Sequence, residues 1–163
     1  MNKLSVWVWA VLSWMWIAAS SAQSIDLTVT GADGASQRID QEAWAKLPRV
    51  TVRAVDHDGK EGSYEGVAVR TVLSLVKAPV GKEMRGKNLT LYVVAQAADN
   101  YRAVYALAEF EPDFTDRVIV IADRRDGQPL GEKEGPLRIV IPGEKKQARW
   151  VRMLSGLAVR DAP

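Results

Sequence analysis

The sequence predicts an α+β fold with a mostly β, mixed-sheet core and a few short helices, and three features predict it. Residues 24–30 and 49–55 alternate with period two, placing Ile25, Leu27 and Val29, then Val50, Val52 and Ala54, on one face. Apolar, β-branched runs at 89–95, 118–122 and 137–141 suit strands of a sheet interior. Only residues 68–77 carry apolar side chains at helical spacing over several turns: Val69, Val72, Leu73 and Val76.

The chain opens with a different kind of segment. Met1-Asn2-Lys3 is a short positive stretch, residues 4–19 are apolar and include Trp7, Trp9, Trp14 and Trp16, and Ser20-Ser21-Ala22 supplies small residues. That is the layout of a secretory signal, with cleavage expected before Gln23. The apolar run is shorter than the ~20 residues a bilayer span needs, so no stable membrane anchor is expected after cleavage. The expected location is periplasmic or secreted. Residues 23–163 then form a single domain, long enough for its own core.

From there the elements follow in order. Gly31-Ala32-Asp33-Gly34 is a turn, and residues 37–39 return as the second strand of a hairpin. Asp40 is placed to cap a short helix that Pro48 closes, with Trp44 and Leu47 pinning it to the domain. The strand at 49–55 leads to a polar loop at 56–62, and residues 63–66 are a short strand entering the helix at 68–77. Pro79 and Gly81 end that helix. Ala98-Asp99-Asn100 joins the run at 89–95 to a strand at 100–107, and residues 107–110 make one helical turn. After the run at 118–122, residues 123–133 are expected to be a charged loop. The strand at 137–141 stops at Pro142-Gly143, and residues 151–159 end the fold as a strand.

Composition narrows function. Lys and Arg total 22 and Asp and Glu 20, mixed throughout, so the chain lacks the dense basic face of a nucleic-acid binder and no nucleic-acid partner is expected. The cysteine count is 0, which removes disulfides, thiolate ligands and thiolate nucleophiles together. Phosphate loops, dinucleotide fingerprints and paired metal-binding histidines are missing from the sequence, and no catalytic or metal-ligating set is assigned.

The candidate binding residues lie in loops. Lys145, Lys146 and Arg149 follow Pro142-Gly143 and precede Trp150, so one rim brings three cations beside a large aromatic. Such a rim suits a phosphate or carboxylate, because the arginine fork binds these anions in pairs. Trp150 reads as a core plug whose N–H needs a partner. His57, the only histidine, stands between Asp56 and Asp58 and is either a ligand contact or a solvated loop residue. Arg124-Arg125 reads as a solvated turn. Glu109, Glu111, Asp113 and Asp116 read as a solvated acidic loop whose spacing matches no calcium pattern.

The order of motifs is that of a known family. Tyr64-Glu65-Gly66-Val67 at the helix start, Asp99-Asn100-Tyr101-Arg102, Asp123-Arg124-Arg125-Asp126-Gly127, and Gly135-Pro136-Leu137-Arg138-Ile139-Val140-Ile141-Pro142 with Trp150 downstream occur in this succession. Together they resemble the oxidoreductase molybdopterin-binding domain, the fold of sulfite oxidases and periplasmic methionine-sulfoxide reductases. The resemblance runs over roughly residues 25–159 and is strongest to short, stand-alone exported members. It implies a cleft for molybdopterin bordered by His57, Asn100, Tyr101, Arg102, Lys145, Lys146, Arg149 and Trp150. In the family's enzymes one cysteine thiolate, on the loop after an early strand, also holds the molybdenum. The matching region here is 52–62, and it contains none.

Three functional readings follow. The first is a non-catalytic binding module for a pterin-like or small anionic ligand. The second is a molybdopterin-dependent oxidoreductase working without a protein thiolate. The third is a periplasmic partner of a membrane sensor or redox system.

Overall fold

The structure, a computed structural model, describes residues 23–163. The leader expected over residues 1–22 lies outside the described residues. Among the described residues, ten strands form two five-stranded sheets. In the first, β1 (Asp26–Thr30) pairs with β2 (Ser36–Asp40) on one side and runs parallel to β10 (Leu154–Asp161) on the other. β10 pairs with β5 (Leu91–Ala97), and β5 with β6 (Arg102–Ala106), giving the order β2-β1-β10-β5-β6. In the second, β3 (Val50–Val55), β4 (Glu61–Ala68), β7 (Val120–Arg125) and β8 (Gln128–Pro129) follow in sequence, and β9 (Arg138–Val140) pairs with β7.

The buried faces of both sheets share one apolar cluster with the helices α1 (Gln41–Ala45) and α2 (Val69–Ser74). β1 alternates as its sequence requires, with Leu27 and Val29 at zero exposure. α1 begins where its cap predicts: Asp40 Oδ1 accepts from the Ala43 N–H at 2.9 Å. Trp44 then drops into the core and donates its indole N–H to Asp123 at 2.7 Å. Gly66 explains the glycine at the end of the Tyr64-Glu65-Gly66 motif. A Cβ there would lie 1.9 Å from the Ile121 carbonyl oxygen, so β4 and β7 approach at this bulge only without a side chain.

Several boundaries differ from the sequence reading. The helix expected over 68–77 ends its α-helical part at Ser74, because the N–H groups of Leu75, Val76 and Lys77 bond three residues back in a tightened turn. Val76 stays buried all the same, so the apolar spacing is satisfied by a different hydrogen-bond pattern. The run at 89–95 enters its strand two residues late, since Leu89 sits in a 3-10 turn (Gly86–Thr90) and is half exposed. Val118 likewise precedes β7 and is exposed. The charged loop expected at 123–133 contains a hairpin: β7 continues to Arg125, and Asp126-Gly127, both at positive φ, turn the chain into β8. The final strand starts at Leu154, because Met153 takes φ 49° and its N–H bonds Glu134 instead of a sheet neighbour.

Candidate functional site

The second sheet gathers charged residues that are distant in sequence. Asp56 is the first residue after β3, Tyr64 and Arg125 are register partners on β4 and β7, and Arg138 on β9 stands opposite Ala122 of β7. A tight turn at 56–60, closed by Asp56 N–H to Lys60 carbonyl at 2.9 Å, folds the Asp56 side chain inward to zero exposure. Arg138 grips it with two nitrogens, at 2.8 and 3.0 Å, and Arg125 donates from 3.0 Å. The Tyr64 hydroxyl donates from 3.1 Å and the His57 backbone N–H from 2.7 Å. Burial pushes the Asp56 carboxyl up, but the Arg138 and His57 hydrogen bonds outweigh it and hold the group far below the usual carboxylate range. Burial and the nearby Asp56 charge push the Tyr64 hydroxyl up to about 12, so it stays a donor.

Aromatic faces complete the centre. The Arg138 guanidinium lies 5.1 Å from the Trp150 ring centroid and 5.9 Å from that of Tyr64, and the two rings meet edge to face. Arg138 Nε and Trp150 Nε1 are both buried without a hydrogen-bond partner.

Above this centre opens a cavity of about 580 Å³. Arg138 and Trp150 form its inner wall, His57, Tyr101 and Gln147 its sides, and Lys133 and Arg152 bring positive charge. Asp99 is the acidic member; its carboxylate accepts from the Tyr101 N–H at 3.0 Å. The wall at 147–149 is tied down on both sides. Tyr101 donates to the Ala148 carbonyl at 2.6 Å, Tyr105 donates to that of Arg149, and Gln147 donates to that of Val55 at 2.9 Å.

The predicted site residues divide accordingly. His57, Tyr101 and Trp150 line the cavity together. His57 is exposed, with Nδ1 3.0 Å from Asp56 Oδ1, while Trp150 is the core plug expected of it, its N–H still without a partner. Asn100 holds the turn at φ 69°, a conformation open to glycine and asparagine, and neither it nor Arg102 lines the cavity. Lys145 and Lys146 are exposed and stand outside the lining. Arg149 departs most from expectation: it binds Glu144 at 2.5 Å and Glu109 at 3.1 Å over the Tyr105 ring, so its fork is already filled.

Two further readings need correction. Arg125 is no solvated turn residue, since it reaches Asp56. Glu111 is buried and holds Arg70 and the Gly81 N–H, so the acidic stretch around Pro112 is not simply solvated.

Asp56, Arg138, Tyr64, Lys133 and Arg152 were not singled out by sequence reasoning. One signal was available: Arg138 is the only charge in an otherwise apolar strand, and a lone charge there requires a buried partner.

The chain matches the family model described as the oxidoreductase molybdopterin binding domain over residues 15–163. It belongs to that family. Among solved structures it is similar to the sulfane dehydrogenase SoxCD from Paracoccus pantotrophus, with a TM-score of 0.64 and 18% identity. That match covers 84% of this chain but 38% of the SoxCD chain, so the protein spans little more than a third of its neighbour's length. No curated protein matches it. The sheets described above are therefore those of the molybdopterin-binding fold.

The family implies molybdopterin, and the residues present fit it only in part. The cavity has the size and the aromatic and cationic lining of a small-molecule site, and Arg138 Nε and Trp150 Nε1 are donors in want of an acceptor. The metal half does not fit. The loop after β3 offers Asp56, whose oxygens are already saturated, and His57; the chain has no thiolate, and no cluster of three metal-ligating side chains occurs among the described residues.

Proposed function

We propose that this molybdopterin-binding-type domain is an exported binding module that takes a pterin-like or small anionic ligand and carries out no metal-centred reaction. The observation that carries this reading is the occupant of the loop after β3. Where the family resemblance calls for a thiolate, Asp56 is buried and spends its lone pairs on Arg138, Arg125, Tyr64 and the His57 N–H. A carboxylate so held is unavailable as a ligand or base. The cavity keeps what binding requires: a rigid wall in Arg138 and Trp150, an exposed tyrosine in Tyr101, and cations in Lys133 and Arg152. Its volume of about 580 Å³ suits one heterocycle of pterin size. Export rests on the leader pattern of residues 1–22.

The test is a thermal-shift screen of the purified protein with pterins, nucleotides and organic acids, paired with metal analysis of the protein taken from its host. A true ligand at a hundredfold excess over its Kd stabilises by about 2.7 kcal/mol. Stoichiometric molybdenum in the isolated protein would overturn the reading, and so would a screen in which nothing shifts the transition.

A further inference from the structure

The inner wall of the cavity carries one guanidinium, that of Arg138, with Arg125 behind it on the same carboxylate, yet it has no positive charge to spare. Arg138 and Arg125 both bind Asp56; Arg138 also meets Glu134 at 2.9 Å, and Arg125 lies 3.5 Å from Asp126. Two cations thus face three carboxylates. What the wall does offer is uncharged in its demand: Arg138 Nε and Trp150 Nε1, two buried N–H groups with no acceptor. A stranded donor is costly, so an acceptor atom brought by a ligand gains more here than at the surface. Lys133 and Arg152 are different. Both are exposed on the cavity's border, and neither has an ion-pair partner among the described residues.

Resting on the binding reading above, we propose that Asp56 is a resident counter-ion that sets what the cavity selects. It closes Arg138 to a ligand's negative charge. The inner wall then receives a neutral acceptor, such as a ring carbonyl or ring nitrogen, on Arg138 Nε and Trp150 Nε1, and the ligand's own charge stays outside at Lys133 and Arg152. The geometry supports this order of events. An incoming anion would have to displace a two-pronged contact at 2.8 and 3.0 Å from a carboxylate with zero exposure, and would leave that carboxylate buried beside it. A neutral acceptor has to open the packing over these two buried N–H groups but breaks no ion pair.

Formate is the probe, being the smallest carboxylate that can stand where the Asp56 side chain stands. Titration calorimetry at fixed ionic strength is run on the wild-type chain and on Asp56→Ala. Asp56→Ala is expected to bind formate saturably and at least about tenfold more tightly than the wild type, with formate raising its melting temperature. Asp56→Asn, which keeps the shape and removes the charge, decides the matter if the alanine variant does not fold. It is expected to gain the same order of affinity for sulfate, and the gain should vanish in the Asp56→Asn, Arg138→Gln double variant. A residue that merely filled space would leave anion affinity unmoved. Equal anion affinity in the wild type and the folded variant overturns the proposal, as does a gain that survives loss of Arg138. Because formate and sulfate report on the wall alone, this result is independent of the ligand screen, so the selector and the binding module can fail separately.

Discussion

Arg138 and Arg149 come from one stretch of chain and meet the same kinds of partner, yet their surroundings differ. Each holds two carboxylates and lies over an aromatic ring: Asp56 and Glu134 with Trp150 for Arg138, Glu144 and Glu109 with Tyr105 for Arg149. The Arg138 side chain is 3% exposed and that of Arg149 33%. Water therefore screens the second pair and not the first, and the same chemistry becomes a structural centre in one place and a loop tether in the other. The arginine that looks like a ligand clamp in the sequence is the tether. The one hidden in a strand forms the floor of the cavity.

The largest effect should come from breaking the inner centre. Asp56→Ala leaves the buried Arg138 without its two-pronged partner and beside the Arg125 guanidinium, and is expected to lower unfolding stability by about 3–5 kcal/mol in urea denaturation. A loss below about 1 kcal/mol would mean that water reaches Arg138 after all, erasing the contrast with Arg149.

Acid should act on the same group. The folded Asp56 carboxyl titrates below its ordinary value near ~3.9, so its contribution is whole above that pH and is lost as pH falls from there through the folded value. Asp56→Asn carries no such proton and should lack that part of the acid limb. Superimposable slopes of stability against pH for the two proteins, measured below about pH 4, would locate the acid sensitivity elsewhere.

Next comes Gly66, which reaches the inner centre through the backbone. Tyr64 and Arg125 are register partners just before the bulge where β4 touches β7, and a Cβ on Gly66 would collide with main chain rather than with a movable side chain. Gly66→Ala should cost about 1–3 kcal/mol and shift Tyr64 and Arg125 relative to Asp56, leaving the Arg149 tether in place. The measurement is chemical-shift mapping alongside the denaturation curve. Perturbation at Tyr105 and Arg149 instead would show the two centres to be coupled.

How much of this was legible in the sequence follows from the range of the forces. The alternation of β1, the Asp40 cap and the helical turn Leu107–Phe110 are local, and each is where its pattern places it. Gly66 also announced itself, through the motif it ends. Asp126-Gly127 was a hairpin signal hidden among charges, and the surrounding Arg124, Arg125 and Asp123 made a solvated loop the simpler reading. Arg138 and Asp56 stand 82 positions apart, and Arg149 and Glu109 stand 40 apart. No periodicity reports a pair at that distance. The sequence put the cations of the site in the loop after Pro142, whereas those lining the cavity are Lys133, Arg138 and Arg152, and whether a cation is free or spoken for depends on folding that brings a carboxylate from another strand.

The Arg149 tether should break more gently. Arg149→Gln removes hydrogen bonds to Glu144 and Glu109 in a half-wet setting, for an expected loss of about 1–2 kcal/mol. Its loop remains fastened by Tyr101 and Gln147, so ligand affinity should change less than stability.

The smallest effect belongs to the residues that seemed most suited to binding. Lys145 and Lys146 are exposed and lie outside the cavity lining, so the Lys145→Ala, Lys146→Ala pair should alter stability by less than about 0.5 kcal/mol. It should also leave the ligand-induced thermal shift of the wild type intact, whereas Lys133→Ala with Arg152→Ala should reduce it. These two double variants carry equal charge changes, so long-range attraction toward an anion is matched between them and only placement differs. Loss of the shift in the Lys145, Lys146 variant alone would move the binding surface out of the cavity and onto the loop beyond Pro142. The tether at Arg149 would then regain the importance that its sequence position suggests.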